Sequence, residues 1–486
     1  MMLKKLKTVR NMSPVAKAAL AYTFAGLATR GLSIITVPIF TRIMSTAEIG
    51  TVNVFNSWYA MLSAVSTLSL TSGGFMVGMK DYSDRRDQYT SSVLTITTLM
   101  AFIIAGVYFV AEDFWNRFFD LPTDLVVLML IGLLVSPARD FWLSRQRYEV
   151  KYKGVVMVSL GTAVLGTVLS IIMVMAANKR GIPDVDRIRL YSNNLIVYGV
   201  ALAFFVGIFI KGKTLFNKEF WAFSLKLSIP LIGNSVASQV LSVSDRTMIN
   251  SLVGKSAVGI YSTLYNVSAL SMIVWNAMNN SFVPYMFENM ETKDGRHNIR
   301  KNVNYILLGY AVVALGMTLL APEIVRILAT EEYYEAIFLM PPIAAGIFLT
   351  SLGNLYSNIL LYHKKTQYIL IATIVAATLN VSLNALLIPI YGYQAAAYTT
   401  LTAYIVMAII EALVANGVEK KLTGHREPLY NSKLLLLIAV AVVLCCLLIN
   451  AIYGYAWIRW SMILIGLAIA LINRKHMLKF VKEVMR

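Results

Sequence analysis

The chain has 486 residues, 58% hydrophobic and only 14% charged, with a mean hydropathy of +0.66 and a formal net charge of +18. That composition excludes an ordinary soluble protein of this length. Two adjacent cysteines, Cys445 and Cys446, exclude a disulfide framework, and four scattered histidines without HExxH or CxxC spacing point to no metal site.

The first apolar run, 18–40, follows a basic, mostly polar lead and is long enough to cross a bilayer, so it reads as a membrane segment rather than a cleaved signal. Arg30 stands alone inside it. A cation near the bilayer midplane costs at least about 2.5 kcal/mol, so it must face protein or water. Thr23, Gly26, Arg30 and Ser33 share one polar or small stripe, apart from Leu27, Leu32, Ile35 and Ile39. An inward positive charge suits an anion. The plainer alternative is an arginine satisfied by carbonyls of a neighbouring helix.

Similar runs follow at 52–76, 89–110, 125–143, 154–176, 192–210, 222–243, 258–282, 303–321, 335–361, 367–389, 393–416, 433–452 and 457–472, fourteen in all, each matched to a roughly 30 Å hydrocarbon core. The second, seventh and eighth are diluted by Asn, Ser and Gln, and polar membrane segments usually line a water-filled path. Segment 2 offers Asn53 and Asn56, segment 7 Asn234 and Gln239, and segment 8 Asn266, Asn276, Asn279 and Asn280. Asn354 with Asn358, and Asn380 with Asn384, each share a helix face. Amides both donate and accept hydrogen bonds, as sugar hydroxyls require. They also bridge membrane helices at about 0.6 kcal/mol per contact. Asp245 and Arg246 mark the end of segment 7 as an ion-pair, gating or boundary element. Glu411, near the end of segment 12, is either a paired carboxylate or a coupling site for H+ or Na+.

With the N-terminus inside, the loops expected in the cytoplasm carry 32 Lys and Arg and the opposite loops 10, while the acidic residues divide evenly. This is the positive-inside pattern, not a nucleic-acid surface, and it puts both termini in the cytoplasm. One loop dissents: residues 177–191 carry Lys179, Arg180, Arg187 and Arg189 on the outer side. No Walker loop is present, so ATP drive would need another subunit.

The chain also repeats. A shift of 209 residues lays Ile49-Gly50-Thr51 on Val258-Gly259-Ile260, each just after an apolar segment and a short polar loop. Six segments plus six, with two appended, place both copies in the same orientation, related by an axis along the membrane normal. The expected fold is therefore all-α integral membrane, with a cytoplasmic N-terminus 1–17, an N-lobe 18–210, a linker 211–221 and a C-lobe 222–417. A cytoplasmic loop 418–432, two extra helices over 433–472 and a cytoplasmic tail 473–486 complete it.

Ser244-Asp245-Arg246-Thr247-Met248-Ile249-Asn250 with Val258-Gly259-Ile260-Tyr261-Ser262, and Pro38-Ile39-Phe40-Thr41-Arg42-Ile43-Met44 with Glu48-Ile49-Gly50, resemble the polysaccharide-transporter, or O-antigen and capsule flippase, family. Its superfamily includes multidrug exporters of the MATE type and lipid II flippases. The resemblance implies a V-shaped transporter in the bacterial cytoplasmic membrane, without enzymatic chemistry or a cofactor. Its two lobes open alternately, it can work as a monomer, and it delivers an undecaprenyl-pyrophosphate-linked oligosaccharide to a polysaccharide polymerase outside. Arg30 would hold the pyrophosphate, since guanidinium donates paired, charge-assisted hydrogen bonds to phosphate. The alternatives are a MATE-type multidrug or cation antiporter, which a midplane arginine disfavours, and a membrane polysaccharide polymerase or ligase. The latter lacks both a long outer loop and a convergent His and carboxylate set.

Overall fold

The computed structural model describes residues 14–72, 74–424 and 427–472, and every regular element among them is helical. In chain order the α-helices are α1 (Pro14–Ile43), α2 (Thr46–Ser66), α3 (Gly74–Asp81), α4 (Arg86–Val110), α5 (Glu112–Phe119), α6 (Thr123–Tyr148), α7 (Tyr152–Lys179), α8 (Val185–Gly212) and α9 (Lys218–Leu252). They continue as α10 (Lys255–Ser268), α11 (Ser271–Asn289), α12 (Lys293–Leu319), α13 (Ala321–Leu328), α14 (Met340–Tyr362), α15 (Gln367–Tyr391), α16 (Ala395–Thr423), α17 (Ser432–Ala451) and α18 (Ala456–Ile472).

Among the described residues nine helices are long and apolar enough to cross a membrane, or up to eleven when each of two bent pairs counts as one span. Gln367–Thr423 is one of the nine, yet α15 and α16 within it pack side by side, so the chain folds back between them. Gly392 makes that reversal at φ +69°, a conformation glycine adopts without penalty. Each apolar run expected from the sequence falls largely on helical residues among those described. Large side chains such as Val110, Val312, Leu413 and Leu448 stay exposed, the surface that lipid tails cover.

The three polar-diluted segments are the irregular ones. Segment 2 is not one helix: α2 ends at Ser66, Leu68 and Ser69 take positive φ, and α3 restarts at Gly74. Ser and Thr compete for backbone hydrogen bonds, and here Ser69 Oγ instead donates to Ser235 Oγ at 2.7 Å on α9. Segment 7 bends by 49° at Pro230, whose ring removes a ladder hydrogen bond. Segment 8 bends by 41° between α10 and α11.

The helix starts have local causes. Ser45 and Glu48 form a capping box that ends α1 and opens α2, with Ser45 N donating to Glu48 Oε2 at 2.7 Å. Asn217 caps α9 by accepting from Phe220 N at 3.1 Å. By internal contacts the chain divides into two units, 1–259 and 260–486, with the division inside α10. In the first unit α9 packs along α2, and an aromatic core of Phe75, Tyr82, Tyr89, Phe141 and Phe220 ties α3, α4, α6 and α9 together. In the second, α14 and α16 pack closely through small residues, including Ala345, Gly346, Gly353, Ala403 and Ala408.

Candidate functional site

In the first unit α1, α6, α7 and α8 line an open pocket of about 470 Å3, with polar side chains set among Leu32, Leu143, Ala163 and Val197. Thr29 and Thr36 come from α1, Arg139 from α6, Ser159 and Thr162 from α7, and Asn193 from α8. Thr29 and Thr162 donate their hydroxyl protons to the carbonyls of Ala25 and Val158, at 2.8 and 2.7 Å. Their oxygens keep lone pairs for a ligand. Arg139 supplies the donors. Its Nε and Nη2 both reach Asp140 Oδ1, at 3.3 and 3.2 Å, and its other N–H groups have no partner among the described residues. A guanidinium set among hydroxyls and an amide can bind a ligand that is anionic and rich in hydroxyls.

Arg139 is not among the residues the sequence singles out, because it lies near the end of segment 4 beside Asp140; Arg459 lies near the start of α18. The legible signal was the same as for Arg30: a charge inside an apolar run. Arg30 lies on α1, one residue beyond Thr29, and its side chain is outside the described residues.

A second feature joins the starts of α2 and α10. A methyl group on Gly50 would overlap the Lys255 carbonyl oxygen, and one on Gly259 would overlap that of Thr46. Thr46 and Lys255 each open a helix, 209 residues apart, as do Glu112 of α5 and Ala321 of α13. The two glycine contacts therefore exchange under the 209-residue shift of the sequence. Thr46 Oγ1 and Ser256 Oγ share a hydrogen bond of 2.7 Å alongside. Asp120 adds Lys255 Nζ at 3.3 Å and Asn250 Nδ2 at 3.1 Å.

The other expected residues separate by environment. Asn53 is half-buried and donates to Ile49 O at 2.8 Å, while Asn56 is exposed on the same helix. Asn234 and Gln239 lie half-buried on α9, and Asn234 Oδ1 is buried without a partner. In the second unit Asn266 and Asn280 are exposed, and Asn276 and Asn354 half-buried. Asn358 is buried and donates to Asn279 Oδ1 at 3.0 Å. Asn380, Asn384, Thr399 and Thr400 form a closed buried network: Asn380 donates to Thr400, Asn384 to Asn380 and Thr399 to Asn384. Asp245 is buried, with Oδ1 accepting from Arg246 N at 2.8 Å, and Arg246 Nη1 donates to Ser242 O at 3.1 Å. Glu411 is buried on α16. Its Oε1 accepts from Ser357 at 2.7 Å, and its Oε2, packed on Gly353, has no hydrogen-bond partner.

The sequence profile of a family described as "Polysaccharide biosynthesis protein" matches residues 15–290. The chain belongs to that family. The matched stretch contains the whole Arg139 pocket and both glycine contacts, and it runs beyond the first unit to residue 290. An uncharacterized membrane protein of Methanocaldococcus jannaschii, MJ1068, is 21% identical over 387 residues, covering 74% of each chain. Among solved structures, the lipid II flippase MurJ in an inward closed conformation superposes with a TM-score of 0.65 at 18% identity, over 96% of this chain and 100% of that one. An inward-facing multidrug resistance MATE family transporter of the MOP superfamily gives 0.59 at 14% identity, over 82% and 96%. This member of the polysaccharide biosynthesis family therefore has the fold of MOP-superfamily membrane transporters.

Proposed function

We propose that the protein moves an undecaprenyl-pyrophosphate-linked oligosaccharide repeat unit across the bacterial cytoplasmic membrane by alternating access, for polysaccharide assembly. One observation carries this reading: Arg139 opens unpaired guanidinium N–H groups into a cavity walled by Thr29, Ser159, Thr162 and Asn193. Pyrophosphate takes the guanidinium, with Arg30 a second donor from the same helix face as Thr23 and Gly26. Sugar hydroxyls take Thr29, Ser159, Thr162 and Asn193, while Asn53, Asn56, Asn234, Gln239, Asn266, Asn276, Asn280 and Asn354 are the further amides the sequence offers. Asn358, engaged with Asn279, serves helix packing.

The reading includes fourteen crossings in two six-helix lobes plus α17 and α18, with both termini in the cytoplasm. The reciprocal contacts of Gly50 and Gly259 support the repeat's twofold and act as a gate on the outer side. Asp245 and Arg246 lie on α9, within two turns of that gate. The unpaired Glu411 carboxyl is the site through which H+ or Na+ drives the cycle. A monomer suffices for this mechanism, and a polymerase receives the product.

The multidrug exporter reading shares the fold, but a positive charge in the cavity repels a cationic drug. The test is export of lipid-linked repeat units in cells carrying Arg139→Ala or Arg30→Ala at normal membrane abundance. Loss of export in both supports the reading, and full export in both removes it.

A further inference from the structure

Another polar cavity, about 540 Å3, lies in the second unit where the start of α12, the end of α16 and the start of α17 meet. Arg300, Lys420 and Lys433 line it together with two carboxylates, Glu419 and Glu427. The carboxylates do not cancel the cations equally. Glu419 is buried and committed to the fold: Oε1 accepts from Arg296 Nη2 at 2.5 Å and Oε2 from Leu429 N at 2.9 Å. Glu427 accepts from Arg300 Nη1 at 2.9 Å, but its side chain is 79% exposed, so a bound anion can displace it. Lys420 and Lys433 are exposed and belong to no ion pair among the described residues. The cavity therefore presents surplus positive charge.

Its neutral wall is incomplete as well. Asn416 donates Nδ2 to Ser432 Oγ at 2.9 Å, while its Oδ1 is buried with no partner. A ligand hydroxyl satisfies that amide whichever way it is turned, because hydroxyls donate and accept. All three helix ends belong to stretches apolar and long enough to cross a membrane, so the cavity sits at the depth of lipid headgroups. Basic pockets at that level attract anionic headgroups.

We propose that this cavity binds the phosphodiester headgroup of an anionic, hydroxyl-bearing phospholipid such as phosphatidylglycerol. The phosphate sits between Lys420 and Lys433, Arg300 Nη1 turns to it when Glu427 is displaced while its Nε and Nη2 stay on the carbonyls of Leu429 and Pro428, and a headgroup hydroxyl reaches Asn416. The site is separate from the Arg139 cavity, and its occupancy does not depend on what that cavity transports.

The test is lipid binding to the full-length protein in detergent, read by native mass spectrometry and by thermal stability. The probes are phosphatidylglycerol, phosphatidylcholine, undecaprenyl pyrophosphate and soluble glycerol 3-phosphate. The expected result is preferential retention of phosphatidylglycerol with a raised melting temperature. Each of Lys420→Gln and Lys433→Gln weakens it by about fivefold, Lys420→Arg keeps it, and Lys151→Gln, on a first-unit loop, leaves it unchanged. Equal retention of phosphatidylglycerol by wild type and the Lys420→Gln, Lys433→Gln double variant overturns the proposal. So does equal stabilisation by glycerol 3-phosphate, which makes the site one for a soluble anion, or preference for undecaprenyl pyrophosphate, which makes it a carrier site.

Discussion

Two arginines on apolar helices meet different fates. Arg139 in the first unit lines a cavity, holds one adjacent carboxylate at more than 3 Å, and keeps N–H groups open. Arg459 in the second is 2% exposed and ion-paired: Nη1 donates to Glu323 Oε2 at 2.6 Å and to Leu319 O at 2.9 Å, its buried Nε has no hydrogen-bond partner, and Tyr453 donates to Thr318 O nearby. The same kind of side chain ties α18 to the end of α12 in one place and lines a pocket in the other. The amides differ in the same way. Asn380 and Asn384 are consumed in a closed network, whereas Asn234 retains an unmet oxygen. Intramembrane polarity alone does not mark a binding site; polarity with unspent hydrogen-bonding capacity does.

Removing each arginine sharpens that contrast. Arg459→Ala strands the Glu323 carboxylate and is expected to cost about 3–5 kcal/mol of stability, measured as lost thermal stability and membrane abundance, with export falling only in proportion to abundance. Arg139→Ala should do the reverse. Stability stays, while export drops about 10–100-fold, the worth of one hydrogen bond to a charged group, and Arg139→Lys recovers part of it. Should Arg139→Ala melt the protein, or Arg459→Ala spare it, the comparison fails.

Acid separates the same two regions more gently. Partial burial pushes the Glu323 carboxyl up, but the hydrogen bond and charge of Arg459 outweigh it and hold the group below the ordinary carboxylate value. A carboxyl depressed in the folded state stabilises above its unfolded pKa, and that contribution is lost as pH falls through the folded one. Melting temperatures measured below about pH 4 should therefore fall more steeply for wild type than for Glu323→Gln. The smallest effect belongs to the amide bridge: Asn279→Ala is expected to cost about 0.6 kcal/mol, with export rates in cells nearly unchanged.

Much of the fold was legible. Apolar length located the helices, and Asn, Ser and Gln in segments 2, 7 and 8 flagged the three that bend or break. The 209-residue shift that lays Gly50 on Gly259 picks out two glycines that each meet a backbone carbonyl. Other features lay beyond the pattern. The short helices α5 and α13 are eight residues each, too brief for periodicity to separate from a loop. Arg139 looked like a boundary residue because depth in the membrane is not written in the sequence to within a helical turn. Whether Asn358 or Asn234 is spent depends on which helix lies opposite, which only tertiary packing decides.

The central claim is tested most directly by reconstituting the purified protein in liposomes loaded with undecaprenyl-pyrophosphate-linked oligosaccharide and measuring how fast the sugar crosses to the other leaflet. The account predicts crossing with wild type and a loss of about 10–100-fold with Arg139→Ala at equal incorporation. Equal rates for both proteins, or no acceleration by wild type over empty liposomes, would contradict it.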